Sequence, residues 1–240
     1  MTEKHTTKAI VLKKEDRGEN DKLIFFFTEG YGRLNIFGKS IRKIESKLRS
    51  LVGEYNLCEI QFIIGKRKTL TDVKVLNSFS NISNNLLKLD CCKKIADVMD
   101  LFLREEHKDE TLWKMLSEYI ETIDEIEEES KISFIFYHFL WSFLSELGYM
   151  PCLFECVVCG KTFSDDNHYF SFKEGGVICL ECSSKLRDLI KLDKEVLNSL
   201  ELIFGNSLNN CLQLKINIKD VESLKKISND YFLYILESTK

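Results

Sequence analysis

The chain has four histidines, a single proline (Pro151) and no charge-free stretch long enough to cross a bilayer. The longest such stretch, Ile132 to Ser145, falls short of the roughly 20 apolar residues a spanning helix needs and reads as a buried helix. The opening Met-Thr-Glu-Lys-His-Thr-Thr-Lys has no apolar run behind it, so no secretory signal is expected. Internal repeats and low-complexity tracts are missing too. Catalytic signatures are equally scarce: there is no Gly-x-x-x-x-Gly-Lys-Ser/Thr, no Gly-x-Ser-x-Gly and no His-Glu-x-x-His. None of His5, His107, His138 or His168 begins the His-x-Glu that a zinc deaminase places upstream of Pro-Cys-x-x-Cys. No enzymatic role is expected, and His138, on its apolar run, reads as a core histidine.

Cysteine is plentiful, and four of the nine fall in two tight pairs, Cys156-Val-Val-Cys159 and Cys179-Leu-Glu-Cys182. Two thiolates two residues apart grip one ion from a single turn, and the second pair, after 19 intervening residues, completes a tetrahedron. Gly160, directly after Cys159, suits a turn that wraps its amides around sulfur at positive φ. The spacing predicts one structural Zn2+ on Cys156, Cys159, Cys179 and Cys182, with no position left for a reactive water. His168 lies between the pairs, but four cysteines leave it no ligand role. Cys58, Cys91, Cys92, Cys152 and Cys211 are an odd number in scattered, mostly apolar settings, which suits free thiols in a reducing cytosol.

Charge is uneven. Residues 1–80 hold 16 Lys/Arg against 10 Asp/Glu, and the remaining 160 hold 18 against 28. A basic front on an acidic remainder points to a polyanion partner for the front. That front reads as β, with short apolar runs at Lys8–Lys14, Lys22–Thr28, Arg33–Gly38, Tyr55–Ile64 and Thr69–Asn77 separated by glycine-bearing turns. Five strands in so short a span fit a small closed barrel, the OB-fold first and an SH3-like barrel second. From Leu86 the spacing turns helical. Ile132–Leu147 is apolar on nearly every face and is stopped by Gly148, and Lys194–Phe204 and Val221–Leu236 add two further helices. The expected fold is α+β and multidomain: an OB-fold barrel over 1–80, an α-helical bundle over 81–151 and 185–240, and a four-cysteine module inserted at 152–184.

Cations cluster on three nearby parts of the front. Arg33 heads the third strand; Lys39, Arg42, Lys43, Lys47 and Arg49 crowd the link after it; Lys66, Arg67 and Lys68 form the tip of the last hairpin. OB-folds engage oligonucleotides with the face of strands two and three and the loops joining strands one to two and four to five. These nine residues are therefore the expected phosphate contacts. Phe25, Phe27, Tyr31 and Phe37 are candidates for base stacking, although aromatics in a small barrel are more often core.

The run Ala9-Ile10-Val11-Leu12, Gly18-Glu19-Asn20-Asp21-Lys22, Phe27-Thr28-Glu29-Gly30-Tyr31-Gly32 and Gly38-Lys39-Ser40-Ile41-Arg42 resembles the amino-terminal domain of the bacterial RecO family of DNA repair proteins. Leu147-Gly148-Tyr149-Met150-Pro151, followed by Cys156, Cys159-Gly160, Gly175-Gly176, Cys179 and Cys182, is similar to that family's zinc segment in order and spacing. The resemblance implies a cytoplasmic, nucleoid-associated protein that binds single- and double-stranded DNA and anneals complementary strands. It also implies work with RecR to load recombinase on strands covered by single-strand-binding protein, whose C-terminal tail is a partner, with RecF a further candidate and no membrane involved. Some family members lack the four cysteines, which agrees with a structural metal. Ile41 is bulkier than the small residue the family pattern suggests. The competing expectation is a protein-interaction adaptor whose DNA contact is incidental.

Overall fold

The computed structural model describes residues 3–163, 168–214 and 218–239. They form two compact units, Met1–Glu127 and Glu128–Lys240.

The first unit begins with a closed barrel of β1 (Lys4–Arg17), β2 (Asp21–Thr28), β3 (Gly32–Gly38), β4 (Leu57–Ile64) and β5 (Lys68–Asn77), in the order β1-β2-β3-β5-β4. All neighbours are antiparallel except β3 and β5, whose single parallel pairing joins Phe37 to Thr69. This is an OB-like barrel. β1 runs well beyond the expected Lys8–Lys14 because it pairs with two partners: its first half with β4, its second with β2. A register shift between Val11 and Lys13 gives the bend that lets one strand do both. β4 starts at Leu57 rather than at the expected Tyr55, since Tyr55 sits at φ 65 and cannot continue a strand. Ala9, Val11, Ile24, Phe26, Leu34, Ile36, Ile60, Phe62 and Leu70 fill the interior. Ile41 joins them, closing the barrel end against Ile24 and Gly38. The bulk that stood out in the sequence is a plug.

Three helices complete this unit: α1 (Ser80–Ser83), α2 (Leu86–Phe102) and α3 (Glu110–Glu125). The Asn85 side chain caps α2 by accepting from the amides of Leu87 and Lys88, and the Asp109 side chain caps α3 by accepting from Leu112.

The second unit holds α4 (Glu129–Glu146), the strands β6 (His168–Ser171), β7 (Gly176–Cys179) and β8 (Ile190–Leu192), and the helices α5 (Leu180–Ser183), α6 (Lys194–Gly205), α7 (Leu208–Gln213) and α8 (Ile218–Ser238). α4 is buried nearly all round. It ends as expected at Gly148, φ +87, where Gly148 N–H donates to the Ser145 carbonyl and Tyr149 N–H to that of Leu144. The Trp141 ring stacks on Tyr231 of α8 at 5.0 Å, and its indole N–H donates to the buried Ser228 hydroxyl at 2.8 Å. No helix among the described residues is long and apolar enough to cross a membrane.

Candidate nucleic-acid interface and metal centre

Alternation along β2 and β3 sends Ile24, Phe26, Leu34 and Ile36 into the barrel and Phe25, Phe27, Arg33, Asn35 and Phe37 outward. In most of this row outward is not solvent. Phe27 is buried and stacks on Trp113 of α3 at 6.4 Å, and Phe25 is buried with the Lys13 ammonium over its ring. Neither ring is free to stack on a base, since Trp113 of α3 covers Phe27 and Lys13 of β1 lies over Phe25. Tyr31 is half-buried, edge-on to Phe62, with its hydroxyl 3.2 Å from the His5 ring. Phe37 is half-buried, like Tyr31, with the Arg67 guanidinium over its ring.

The cations divide in the same way. The Arg33 guanidinium is turned inward: it pairs with Asp100 and donates to the carbonyls of Asp100 (3.2 Å) and Leu103 (2.8 Å) at the end of α2. Lys68 is largely covered and pairs with Glu106 at 2.5 Å and Glu105 at 3.8 Å. As they stand, these two expected phosphate contacts are spent on acids of their own unit. The other seven are exposed. The Arg67 guanidinium lies 3.6 Å from the Phe37 ring centroid, a cation–π contact that carries the tip of the β4–β5 hairpin onto the end of β3. Just beyond Phe37 the chain turns sharply through Lys39 and Ser40. Ser40 has φ 54 and is held there by donating its amide to the Asp21 carboxylate. That turn delivers Arg42 to the β1–β2 loop, where its amide donates to Asn20, its guanidinium donates to the Gly18 carbonyl, and Asp16 pairs with it at 3.3 Å. Lys39, Arg42, Lys43, Lys66 and Arg67 thus come from two connections, the link after β3 and the β4–β5 turn, to the rim around the end of β3. Lys47 and Arg49 lie farther along the link, on turns whose Leu48, Leu51 and Val52 face the barrel core.

Asp100, Glu105, Glu106 and Trp113, which sequence reasoning missed, decide which part of the outer face stays open. Arg33 and Asn35 lie about 70 residues before the groups they bind, and Phe27 lies still farther from Trp113, so no local pattern announces such contacts.

In the second unit the sulfurs of Cys156, Cys159, Cys179 and Cys182 all lie within 4.8 Å of one another. Gly160, φ +69, closes the first turn by donating to the Cys156 carbonyl at 2.8 Å, and Cys179 N–H donates to the Cys156 sulfur at 3.4 Å. Burial alone would raise the Cys156 thiol, but amides of Cys179, Cys159 and Val158 outweigh it and bring it down to about 6. Cys182 is pushed up to about 12 by burial and by its three neighbouring thiols. Four thiols this close cannot all ionise unless a cation stands among them, and amide donors already favour a thiolate; the donor set fits a soft-to-borderline metal ion. His168 is outside this group and packs edge-on to Phe163 at 4.6 Å. Burial raises the thiols of Cys58 (to about 11) and Cys91 (to about 12), and holds that of Cys92 well above its ordinary range, so these remain inert core thiols. His138 is buried in α4, and burial lowers it to about 4, so it is neutral at pH 7.

Comparison with known proteins adds to this geometry. The family model described as recombination protein O, N terminal, matches residues 1–80, and that described as recombination protein O, C terminal, matches residues 83–240. Proteins called DNA repair protein RecO are similar over nearly their whole lengths. That of Thermoanaerobacter sp. strain X514 is 29% identical over 96% of this chain and 92% of its own. Those of Dehalococcoides mccartyi strain BAV1 and Thermodesulfovibrio yellowstonii are 29% and 28% identical over 99% and 98% of this chain, and 93% and 95% of their own. With both family models filling consecutive stretches of an OB-like barrel and a helical region bearing a four-sulfur cluster, the chain belongs to the RecO family.

Proposed function

We propose that the chain is a non-catalytic recombination mediator. It binds single- and double-stranded DNA at the barrel rim, anneals complementary strands, and with RecR helps load recombinase onto strands covered by single-strand-binding protein. What carries this reading is the gathering of Lys39, Arg42, Lys43, Lys66 and Arg67 around the end of β3, where Arg67 lies over the half-buried Phe37 ring. Cations there neutralise phosphates, and two strands brought to one surface repel each other less, so pairing follows from their own chemistry. No residue acts as acid, base or nucleophile. Cys156, Cys159, Cys179 and Cys182 would hold one Zn2+, which braces the segment around them; with four sulfur ligands, no coordination position serves chemistry. The C-terminal tail of single-strand-binding protein and RecF belong to the same assembly, in the cytoplasm at the nucleoid. The working division is a DNA-binding barrel over 1–80, a helical domain over 81–151 and 185–240, and the metal module at 152–184.

The test is annealing of complementary oligonucleotides, with and without single-strand-binding protein, on the wild type and on Lys66→Glu/Arg67→Glu. The wild type should accelerate annealing and the variant should lose most of that acceleration. Equal rates for both would remove the rim from the mechanism. One observation favours the adaptor reading instead: the β2–β3 face that OB-folds use for strands is covered by α2 and α3. That reading expects the variant to keep both its annealing rate and its partner binding.

A further inference from the structure

The outer row of β3 ends in Phe37 beneath the Arg67 guanidinium, while its first half lies beneath residues 103–109, the connection from α2 to α3. This connection behaves as a strap. It forms a bridge at Arg33 and Glu105, Glu106 N–H donates to the Arg33 carbonyl at 2.9 Å, and a Cβ built on Gly32 would collide with the His107 carbonyl. Its hold is made of carboxylates. The Asn35 amide donates to Glu105, and Lys68 pairs with both Glu105 and Glu106.

Two observations mark this cover as incomplete. Arg33 Nε and Asn35 Oδ1 are buried with no hydrogen-bond partner among the described residues. Glu106 itself sits at φ 62, a left-handed conformation uncommon for a residue with a side chain. A face meant only for packing would be sealed with apolar side chains, as Trp113 seals Phe27. Here the seal is a pair of carboxylates offering a lysine and an amide the kind of anionic oxygens a phosphodiester offers. Lys68 is also the residue after Arg67, whose guanidinium lies on Phe37, so a strand held at the open rim ends next to the covered part.

We infer that Glu105 and Glu106 occupy a second, covered part of the strand-binding surface, and that the phosphates of a bound DNA strand displace them to reach Lys68 and Asn35. This rests on the barrel rim being the strand-binding site. The strap then sets a threshold, since a strand must compete with acids already in place. Both acids are partly exposed, with 42% and 60% of their side chains accessible, so neutral replacements leave the fold alone.

The experiment measures binding of a labelled single-stranded oligothymidylate by the full chain, the Glu105→Gln/Glu106→Gln chain, and each of these with Lys68→Ala added. A control, Glu118→Gln/Glu121→Gln, removes the same charge from exposed positions on α3. Lys68→Ala should weaken the strap variant about fivefold, the upper range of an exposed ion pair, and the wild type by much less, because there the phosphate gained at Lys68 only replaces the carboxylate pairs lost with it. The strap variant's plot of log affinity against log salt should be steeper by about 0.7, one added phosphate contact. The control should create neither the steeper slope nor any dependence on Lys68. Equal effects of Lys68→Ala in both backgrounds, or a control that reproduces the strap variant, would overturn the strap while leaving the rim intact. Failure of the wild type and every variant to bind would overturn the rim, and the strap with it.

Discussion

The barrel surrounds a core cluster of thirteen buried residues, from Ala9 to Val73, whereas the core cluster around the four cysteines has three among the described residues, two of them cysteines themselves. Both regions are small β structures in one chain, yet they must be held by different means. Ordering each residue costs about 1–2 kcal/mol in backbone entropy. Phe26, Leu34, Ile36, Ile60 and Phe62, all under 2% exposed, bury enough apolar surface to offset that cost in the barrel. Around the cysteines Ile178 is joined mostly by partly buried neighbours such as Val157, Phe163, Tyr169, Leu186 and Leu189, so a cross-link through an ion held by the four sulfurs is the expected supplement. A small fold takes either route, and the choice is visible in whether its buried residues are hydrocarbon or ligand.

The largest effect that would break this contrast is metal removal. A structural zinc contributes about 10–16 kcal/mol of apparent binding energy in small modules. Chelation, or Cys182→Ser, should abolish amide-exchange protection at β6 and β7 while that of the barrel strands persists. Retained protection in the metal-free protein would mean the segment stands on its own core. The converse perturbation is Phe62→Ala in the barrel, which should cost about 3–5 kcal/mol by leaving a cavity. Denaturant unfolding of the first unit would read that loss, and metal content should stay at one ion per chain.

A third, somewhat smaller effect distinguishes the helices of the second unit from both β regions. The unfolded chain protonates His138 near pH 6.5, while burial holds the folded one unprotonated down to about 4. Stability therefore falls as pH drops through that window, by at most ~3 kcal/mol, and His138→Phe should flatten the dependence in denaturant titrations at several pH values. Smallest is Arg67→Ala, which removes one cation–π contact worth about 0.5–1 kcal/mol and should leave the thermal midpoints of both β regions nearly unchanged.

The same contrast explains what the sequence made readable. The cysteine pairs and Gly160 are local, so two tight turns and their cluster could be read from spacing alone. The barrel strands could be read because glycine turns at Gly30–Gly32 and Gly65 punctuate β-branched and aromatic runs. Phe25 and Phe27 could be named from sequence as stacking candidates, but not that Trp113 packs on Phe27. Arg33 and Lys68 looked like neighbours of the free cations because their acid partners lie far along the chain. β6, β7 and β8, three or four residues each, were too short to register as strands.

The most direct test of the central claim is a salt titration of single-stranded DNA binding by the wild type and by a chain carrying Lys39→Gln, Lys43→Gln, Lys66→Gln and Arg67→Gln. Each lost phosphate contact should make the slope of log affinity against log salt shallower by about 0.7, so the substituted chain should lose nearly 3 from the wild-type slope. Equal slopes for the two chains would contradict a strand-binding rim at the end of β3.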